Sequence, residues 1–237
     1  MYRNEVVGYG LNLNKNYLLA KYNFQFIFSK LMSNHKVQNI IFDLGGVIID
    51  LDTEKTFQAF QKVIPSRSRP GRVEEVELFL EYEKGLISSS EFRDGIRKLA
   101  SNESLDDQKI DNIWNSMLLR IPKARLELMQ RLAPKYRLFV LSNTNEIHVT
   151  AFNEIVRQTL GKPTINHFFE KVYYSHEINL RKPEREIYEY VLADSQLVPE
   201  QTLFVDDKEE NILAAQKVNL QTFHVTKQQD ILSYFKD

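Results

Sequence analysis

Cysteine is absent from the 237 residues of the sequence. This absence excludes disulfide bonds, zinc sites with cysteine ligands and catalysis by a thiol. No apolar stretch reaches the roughly 20 residues that a membrane-spanning helix needs, and the formal net charge is only −1. A charge so close to zero is not typical of proteins that bind nucleic acids or anionic membranes over a broad surface. We therefore expect neither as a partner, although a local basic pocket stays compatible with the composition.

The remaining composition is that of an ordinary globular protein, with 43% hydrophobic and 27% charged residues. A chain of this length is large for a single domain and suits a core domain that carries an insertion. We expect a cytoplasmic protein that is a monomer or a homodimer.

Residues 1–36 differ in composition from the rest, because Tyr, Asn and Phe dominate them. The apolar segment from Tyr17 to Met32 is interrupted by polar residues and has no convincing small-residue cleavage site, so it is not typical of a signal peptide. Three interpretations stay open: a loosely attached, disordered extension, an amphipathic helix, or residues encoded upstream of the true start. Met32 lies just before the first predicted strand, which favours the third.

The segment from Ile40 to Asp50 organises the rest of the sequence. An apolar run, residues 37–42, is short and rich in β-branched and aromatic residues, which predicts a strand buried on both faces of a parallel sheet. Such a strand delivers Asp43 to the sheet edge where ligands bind in open α/β folds. Gly45 and Gly46 then allow a tight turn and a close approach to a ligand. Taken alone, a capped strand and an ordinary turn would explain this segment better.

The pattern between residues 52 and 120 is helical throughout. A cluster of helix breakers covers residues 65–71, and Ser88 with Glu91 matches a capping box. The predicted helices cover residues 53–64, 72–83, 89–99 and 104–120. Because this block lies between two predicted strands, we interpret it as an inserted, all-helical cap.

Strands and helices alternate again after residue 121. The predicted strands cover residues 136–141, 172–174, 202–205 and 221–225, and the helices between them cover residues 122–132, 146–160, 183–192 and 208–218. This alternation indicates a doubly wound α/β domain with a parallel sheet. We therefore expect a core made of residues 37–51 and 121–237, with the cap at residues 52–120.

Polar residues with chemical use stand at or after the ends of four predicted strands. In chain order they are Asp43, Ser142 with Asn143, Lys182, and Asp206 with Asp207. Because the carboxyl ends of parallel strands meet at one edge of a sheet, these side chains can converge. The carboxylates can hold Mg²⁺, while the lysine and the Ser-Asn pair can hold the oxygens of a phosphoryl group. Asp43 could then attack phosphorus and form an aspartyl-phosphate.

Each of these groups also has a purely structural explanation. Asp206 and Asp207 can cap the helix that follows them, Ser142 and Asn143 can do the same for theirs, and Lys182 can be a solvated surface charge. Their joint occurrence at successive strand ends favours a shared site over four independent coincidences.

The order of these motifs resembles that of the haloacid-dehalogenase-like hydrolase superfamily, whose Rossmann-like core carries a cap inserted after the first motif. Residues 42–47 (Phe-Asp-Leu-Gly-Gly-Val) are similar to its first motif, residues 141–143 (Leu-Ser-Asn) to its second, residues 181–183 (Arg-Lys-Pro) to its third, and residues 204–211 (Phe-Val-Asp-Asp-Lys-Glu-Glu-Asn) to its fourth. The resemblance covers about residues 37–237, and the helical block lies where the family has its cap.

The resemblance implies that Asp43 is the nucleophile and that Lys182 holds its carboxylate in position. It implies Ser142 and Lys182 as phosphate ligands, with Asn143 beside them. The implied Mg²⁺ ligands are Asp43, the carbonyl group of Gly45 and Asp207, with Asp206 as a direct or water-mediated partner.

Gly45 departs from the pattern of the family. Most phosphatases of the family that this chain resembles have a second Asp at this position, which protonates the leaving oxygen and then activates water. Loss of such a group costs about 10²–10⁴-fold in rate. A subgroup of bacterial sugar-phosphate phosphatases, including one that acts on glucose 1-phosphate, shares this Asp-Leu-Gly variant, so we expect an active enzyme. Water or a cap carboxylate would supply the proton, and Glu83 is the first candidate, with a surface or hinge role as its alternative.

The cap should decide which substrate enters. Arg93, Arg97 and Trp114 could line its pocket, although surface charge and helix packing explain them equally well. The histidines show no metal-ligand spacing and receive no catalytic role: His35, His148, His167, His176 and His224.

The expected function is hydrolysis of small phosphorylated metabolites, with sugar phosphates foremost, by a Mg²⁺-dependent phosphomonoesterase. A haloacid dehalogenase is the alternative enzyme, but the paired Asp206 and Asp207 suit a cation and not an anionic acid substrate. A regulatory module that binds phosphate without turnover stays a further alternative, because Gly45 has no side chain that could act as a general acid. A phospho-accepting receiver domain is disfavoured by the helical insertion.

Overall fold

The computed structural model describes residues 36–65 and 77–236. The predictions made for residues 1–35, for most of the breaker cluster and for the start of the helix predicted at residues 72–83 lie outside the described residues. Among the helices of the described ranges, none combines the length and apolar character that crossing a membrane requires.

Five parallel strands form one sheet in the order β3-β2-β1-β4-β5. They are β1 (Asn39–Phe42), β2 (Arg137–Ser142), β3 (Lys171–Tyr174), β4 (Thr202–Asp206) and β5 (Gln221–His224). All residues of β1 and β4 are buried, as expected for apolar runs at the centre of a parallel sheet. In the register, Phe42 pairs with Val140 on one side and with Val205 on the other, so the strand ends lie level at one edge.

Ten helices, numbered in chain order, accompany the sheet in the described part of the chain. They are α1 (Thr53–Gln61), α2 (Glu77–Glu83), α3 (Ser89–Ala100), α4 (Asp107–Trp114), α5 (Lys123–Leu132), α6 (Glu146–Leu160), α7 (Ser175–Ile178), α8 (Arg185–Asp194), α9 (Glu209–Gln216) and α10 (Ile231–Tyr234). Short 3₁₀ turns lie at Asn115–Met117, Ile165–Phe168 and Pro199–Gln201.

Alternate residues of β1 pack into two apolar clusters, one on each face of the sheet. Ile40 and Phe42 pack into a cluster that includes residues of α5 and α6, such as Met129 and Phe152. Ile41 packs on the opposite face into a cluster built with α8 and α9. Helices on both faces of a parallel sheet make the doubly wound α/β fold, which confirms the predicted fold class.

The inserted helices α1 to α4 build a third apolar cluster, which Ile147 of α6 joins. Its centre is a group of aromatic rings from Phe60, Phe79, Phe92 and Trp114, whose centroids lie 4.9–6.1 Å apart. The predicted capping box is confirmed, since the Ser88 side chain accepts from the N3 backbone amide and the N3 carboxylate accepts from Ser88.

Some predicted helix ends differ from those observed. The helix predicted over residues 104–120 starts only at Asp107, because the Asp106 side chain caps it, and it gives way to a 3₁₀ turn after Trp114. Pro183 was predicted to open a helix, but α8 begins two residues later, with Glu184 at the N-cap position.

The insertion leaves and rejoins the core through a two-stranded ribbon. Leu51 forms an antiparallel bridge with Leu118. The backbone amide of Asp50 donates to the carbonyl oxygen of Arg120 (2.9 Å), and the backbone amide of Leu119 donates to the carbonyl oxygen of Asp50 (3.0 Å). The domain boundaries expected near residues 51 and 121 flank this ribbon and stay a prediction.

Candidate active site

Asp43 stands immediately after β1, at the edge where the central strands end. Its backbone amide donates to the carbonyl oxygen of Val205 (2.8 Å), which continues the pairing with β4 by one residue. The side chain is buried, with 7% of its surface exposed. The sheet therefore fixes the position of this carboxylate before any ligand binds.

Lys182 joins the ends of three central strands. Its Nζ donates to Oδ1 of Asp43 (2.7 Å), to Oδ2 of Asp206 (2.7 Å) and to the carbonyl oxygen of Leu141 (2.8 Å). Three acceptors satisfy all three protons of the ammonium group, although only 1% of the residue is exposed. Burial by itself would lower the pKa of Lys182, but Asp206 and Asp43 outweigh it, so the pKa is raised and the charge is kept.

The amide side chain of Asn143 holds the loop that carries this lysine. Its Oδ1 accepts from the backbone amide of Lys182 (2.9 Å), and its Nδ2 donates to the carbonyl oxygen of Lys182 (2.8 Å). The neighbouring Ser142 is buried at the end of β2 and lines the same cavity as Asn143.

Asp206 is fully buried at the end of β4 and is saturated with hydrogen bonds. Besides Lys182, it accepts from the backbone amide of Lys208 (2.8 Å) and from Nδ2 of Asn211 (3.0 and 3.1 Å). With both oxygens occupied in this way, Asp206 serves chiefly to hold the donors around it.

Asp207 completes a cluster of three carboxylates. Oxygen atoms of Asp43, Asp206 and Asp207 all lie within 4.8 Å of one another. Gly46 makes room for the third, because a Cβ atom at this position would lie 2.3 Å from Oδ2 of Asp207. Gly46 also adopts a φ of +71°, in the left-handed region that favours glycine.

The cluster fits a hard divalent cation such as Mg²⁺. All its donors are oxygen atoms, as Mg²⁺ prefers, and Gly45 lines the cavity beside them. Asn211 lines the same cavity, and its Oδ1 is buried and without a hydrogen-bond partner among the described residues. Such an oxygen is suited to accept from a metal-bound water.

The same crowding changes the acidity of the carboxyl groups. Burial, reinforced by Asp206 and Asp207 and opposed by Lys182, raises the pKa of Asp43 to about 7. Burial and the charge of Asp206 also raise the pKa of Asp207. A cation between these groups would favour their charged forms.

A cavity of about 280 Å³ opens between this edge of the sheet and the insertion. Asp43, Ser142 and Lys182 line it on the core side, and Phe79 and Trp114 line it on the side of the insertion. Its volume lies near the lower end for ligand pockets and suits a small molecule.

The structure places all the predicted core residues at this edge, but it corrects part of the predicted cap lining. Trp114 contacts the cavity as expected. Arg93 and Arg97 do not line it: Arg93 binds Asp111 (2.8 Å), and Arg97 pairs with Asp94 (2.7 Å). These arginines are held by acidic neighbours within the insertion and are turned away from the substrate space.

Glu83 lies on the cavity wall at the end of α2. Its Oε2 accepts from Nε of Arg181 (2.7 Å), the residue before Lys182. The ion pair thus joins the insertion to the loop that carries the buried lysine, a contact that the sequence analysis did not predict.

His148, for which the sequence predicts no role, lies on the cavity wall. The ring is buried and stacks on Trp114, with the ring centroids 4.8 Å apart and the planes 10° from parallel. Burial lowers the pKa of His148 to about 3. Its place in the first turn of the helix after the second strand is a signal that could have pointed to it.

Comparison with known proteins identifies the family. The model of the haloacid dehalogenase-like hydrolases matches residues 37–219. The chain belongs to this family. The four motifs therefore predicted the family correctly.

Similar proteins include phosphatases and metal-bound hydrolases. The D-ribitol-5-phosphate phosphatase of Bacteroides thetaiotaomicron is 32% identical over 189 residues, which cover 79% of this chain and 91% of that protein. A crystal structure of a family enzyme from the same species, in complex with magnesium and inorganic phosphate, is 36% identical with a TM-score of 0.75, and covers 84% of this chain and 100% of the other. A family hydrolase from Porphyromonas gingivalis is 32% identical with a TM-score of 0.74, and covers 81% and 93%.

Haloacid dehalogenases are more distant. The L-2-haloacid dehalogenase of Xanthobacter autotrophicus is 16% identical with a TM-score of 0.53, and covers 81% of this chain and 80% of the other. At this level of identity, the likeness shows a shared fold alone.

Proposed function

We propose that the protein is a Mg²⁺-dependent phosphomonoesterase of small phosphorylated metabolites, with phosphorylated sugars and sugar alcohols as its substrate class. The observation that carries the proposal is the bridge from Lys182 to both Asp43 and Asp206, beside Asp207 and open to a small cavity. The magnesium and phosphate complex of a similar enzyme, and the activity named for the ribitol-phosphate relative, support it.

Asp43 is the proposed nucleophile. Its Oδ1 is held by Lys182, while its other oxygen has no hydrogen-bond partner among the described residues. Asp43, the carbonyl group of Gly45 and Asp207 would hold Mg²⁺, with Asp206 as a water-mediated partner. When bound, the metal would offset the charge of the phosphoryl group and orient it for in-line attack.

The remaining phosphoryl oxygens would be bound by Lys182 and by the hydroxyl group of Ser142, which has no protein partner among the described residues. Asn143 was predicted to bind substrate, but both atoms of its amide group already contact the backbone of Lys182. We assign its side chain to positioning the lysine loop, so that its backbone amide is the group left for the phosphate.

The acidic cluster also weighs against dehalogenation. A haloacid carries a carboxylate, which three neighbouring carboxyl groups would repel, whereas a metal-bound phosphate ester is suited to the same groups. A silent binding module differs from the enzyme only in turnover, so an activity measurement separates the two.

The test is release of inorganic phosphate from a panel of sugar, polyol and nucleotide monophosphates with Mg²⁺. We expect Asp43→Asn to lose at least about 10³-fold in kcat. Asp50→Asn is the matched control, because Asp50 lies in the same segment but pairs with Arg125 (2.9 Å) outside the cavity. Absence of turnover on every ester, or full activity in EDTA, would contradict the proposal. The cytoplasmic location and the monomeric or homodimeric state stay predictions.

A further inference from the structure

His148 adds a polar ring to the cavity wall, next to the indole ring of Trp114. The residue is 7% exposed, and its ring is held flat against Trp114. The backbone amide of His148 donates to Oδ1 of Asn145 (3.0 Å), which also accepts from Nε1 of Trp114 (3.2 Å). One asparagine thus binds the backbone of His148 and the ring of Trp114.

The second ring contact decides which nitrogen of His148 carries the proton. Nδ1 lies 2.9 Å from Oδ1 of Asn115. With Oδ1 of Asn115 facing the ring, Nδ1 donates to it, and the neutral ring then leaves Nε2 as an acceptor. Nε2 has no hydrogen-bond partner in the described ranges 36–65 and 77–236, and it is not among their fully enclosed unpartnered atoms.

The ring is neutral near pH 7, since burial lowers the pKa of His148 to about 3 and no charged neighbour opposes this shift. A neutral ring without a proton on Nε2 cannot act as the missing general acid. It can only accept a hydrogen bond from a ligand that carries a donor.

We propose that Nε2 of His148 accepts a hydrogen bond from a hydroxyl group of the leaving group, and so selects phosphate esters of polyols and sugars over those of plain alcohols. This inference rests on the proposed phosphatase function and deepens it. His148 is then a specificity-determining residue. Phe79, Leu80 and Met117, which line the cavity from the insertion, offer only apolar contact to a substrate.

The experiment compares D-ribitol 5-phosphate with n-pentyl phosphate, which has the same carbon chain without hydroxyl groups, using p-nitrophenyl phosphate as a reporter of the chemistry. His148→Asn keeps a nitrogen near the position of Nδ1 and removes Nε2. We expect it to lower the preference for the ribitol ester about tenfold, mainly through KM. Turnover of the pentyl and p-nitrophenyl esters should stay within about twofold. His148→Gln retains an acceptor near Nε2 and should keep more of the preference.

His167→Gln is the matched control, because His167 is exposed and lies outside the cavity. An equal loss on all three esters in both His148 variants would indicate a structural role and overturn the inference, as would an unchanged preference. A wild-type protein that hydrolyses p-nitrophenyl phosphate without preferring the ribitol ester would overturn the inference alone. If the wild type with Mg²⁺ hydrolyses none of the three esters, the proposed function fails with it.

Discussion

Leu51 occupies the space into which a side chain at Gly45 would project. A Cβ atom built on Gly45 would lie 2.4 Å from Cδ1 of Leu51. Leu51 is held there by the ribbon that leads into the insertion, where it bridges to Leu118. The volume that a general acid at position 45 would need is therefore filled by a leucine.

The contact between Leu51 and the side-chain position of Gly45 predicts which substitutions would add a general acid for the leaving group. We expect Gly45→Asp alone to gain little, because the new carboxyl group competes with Leu51 for the same volume. Gly45→Asp combined with Leu51→Ala should raise kcat on an alkyl phosphate about 10–10²-fold over Leu51→Ala alone, which is at or below the lower end of the range for general acid catalysis. A double-mutant cycle with all four proteins measures the coupling. Strictly additive effects would show that Leu51 does not block the position.

A second prediction concerns the glycine beside the acidic cluster. Gly46→Ala brings a Cβ atom within 2.3 Å of Oδ2 of Asp207 and should displace this carboxylate. We expect the Mg²⁺ concentration for half-maximal activity to rise about 10–100-fold, as for other changes to groups that support metal ligands.

Gly161→Ala is the matched control for this change. Gly161 has a similar φ of +64°, but no atom lies within 4 Å of its Cβ position. It should lose stability on the order of 1 kcal/mol through backbone strain and leave the Mg²⁺ dependence unchanged. The same Mg²⁺ response in both alanine variants would mean that the effect at Gly46 is strain and not contact with Asp207.

Lys182 should be needed for stability as well as for catalysis. Lys182→Met leaves the carboxyl groups of Asp43 and Asp206 buried without their shared cation, so we expect a loss of about 3–5 kcal/mol in the free energy of unfolding without metal. Mg²⁺ should restore part of this loss. Urea denaturation with and without Mg²⁺ measures both effects.

Lys171→Met provides the comparison, because Lys171 makes a half-exposed pair with Asp194 (2.6 Å). Such surface pairs contribute at most about 1 kcal/mol. Equal losses in the two methionine variants, or no response of Lys182→Met to Mg²⁺, would contradict the account of Lys182 as the cation between two carboxylates.

The convergence of the candidate site residues could be predicted from the sequence because strand ends are local features. Asp43, Lys182 and Asp206 each follow a short apolar run, and parallel pairing then brings such ends to one edge. The contacts of Glu83 and Arg93 could not be predicted in this way, since the partner of each depends on how the inserted helices pack. His148 was overlooked for a similar reason. A lone histidine in a helix gives no sign that a tryptophan from the insertion, Trp114, will cover it.

His148 should make the protein sensitive to mild acid. The pKa of His148 is lowered from 6.5 to about 3 on folding, so the unfolded chain binds a proton in a range where the folded chain does not. The contribution of His148 to stability is complete above about pH 6.5 and is lost as the pH falls below it. Between pH 7 and pH 5 this loss amounts to about 2 kcal/mol.

The measurement is the free energy of unfolding in urea at both pH values for the wild type and for His148→Gln. The drop between pH 7 and pH 5 should be smaller in the variant by about 2 kcal/mol, because glutamine does not titrate. His167→Gln, which changes an exposed histidine, should behave as the wild type. An identical drop in the wild type and His148→Gln would mean that another group causes the sensitivity to acid.

Glu83 can be tested as a substitute for the missing acid. Its Oε2 accepts from Arg181, so we expect Glu83 chiefly to position the Lys182 loop and Glu83→Gln to lower kcat by less than about tenfold.

The control is Glu184→Gln, which breaks the neighbouring ion pair between the core and Lys84 (2.5 Å) outside the cavity. A general acid would behave differently, because its loss costs about 10²–10⁴-fold on an alkyl phosphate and far less on p-nitrophenyl phosphate, whose leaving group needs no proton. Measuring kcat on both esters therefore separates the two roles, and a large loss confined to the alkyl ester would identify Glu83 as the proton donor.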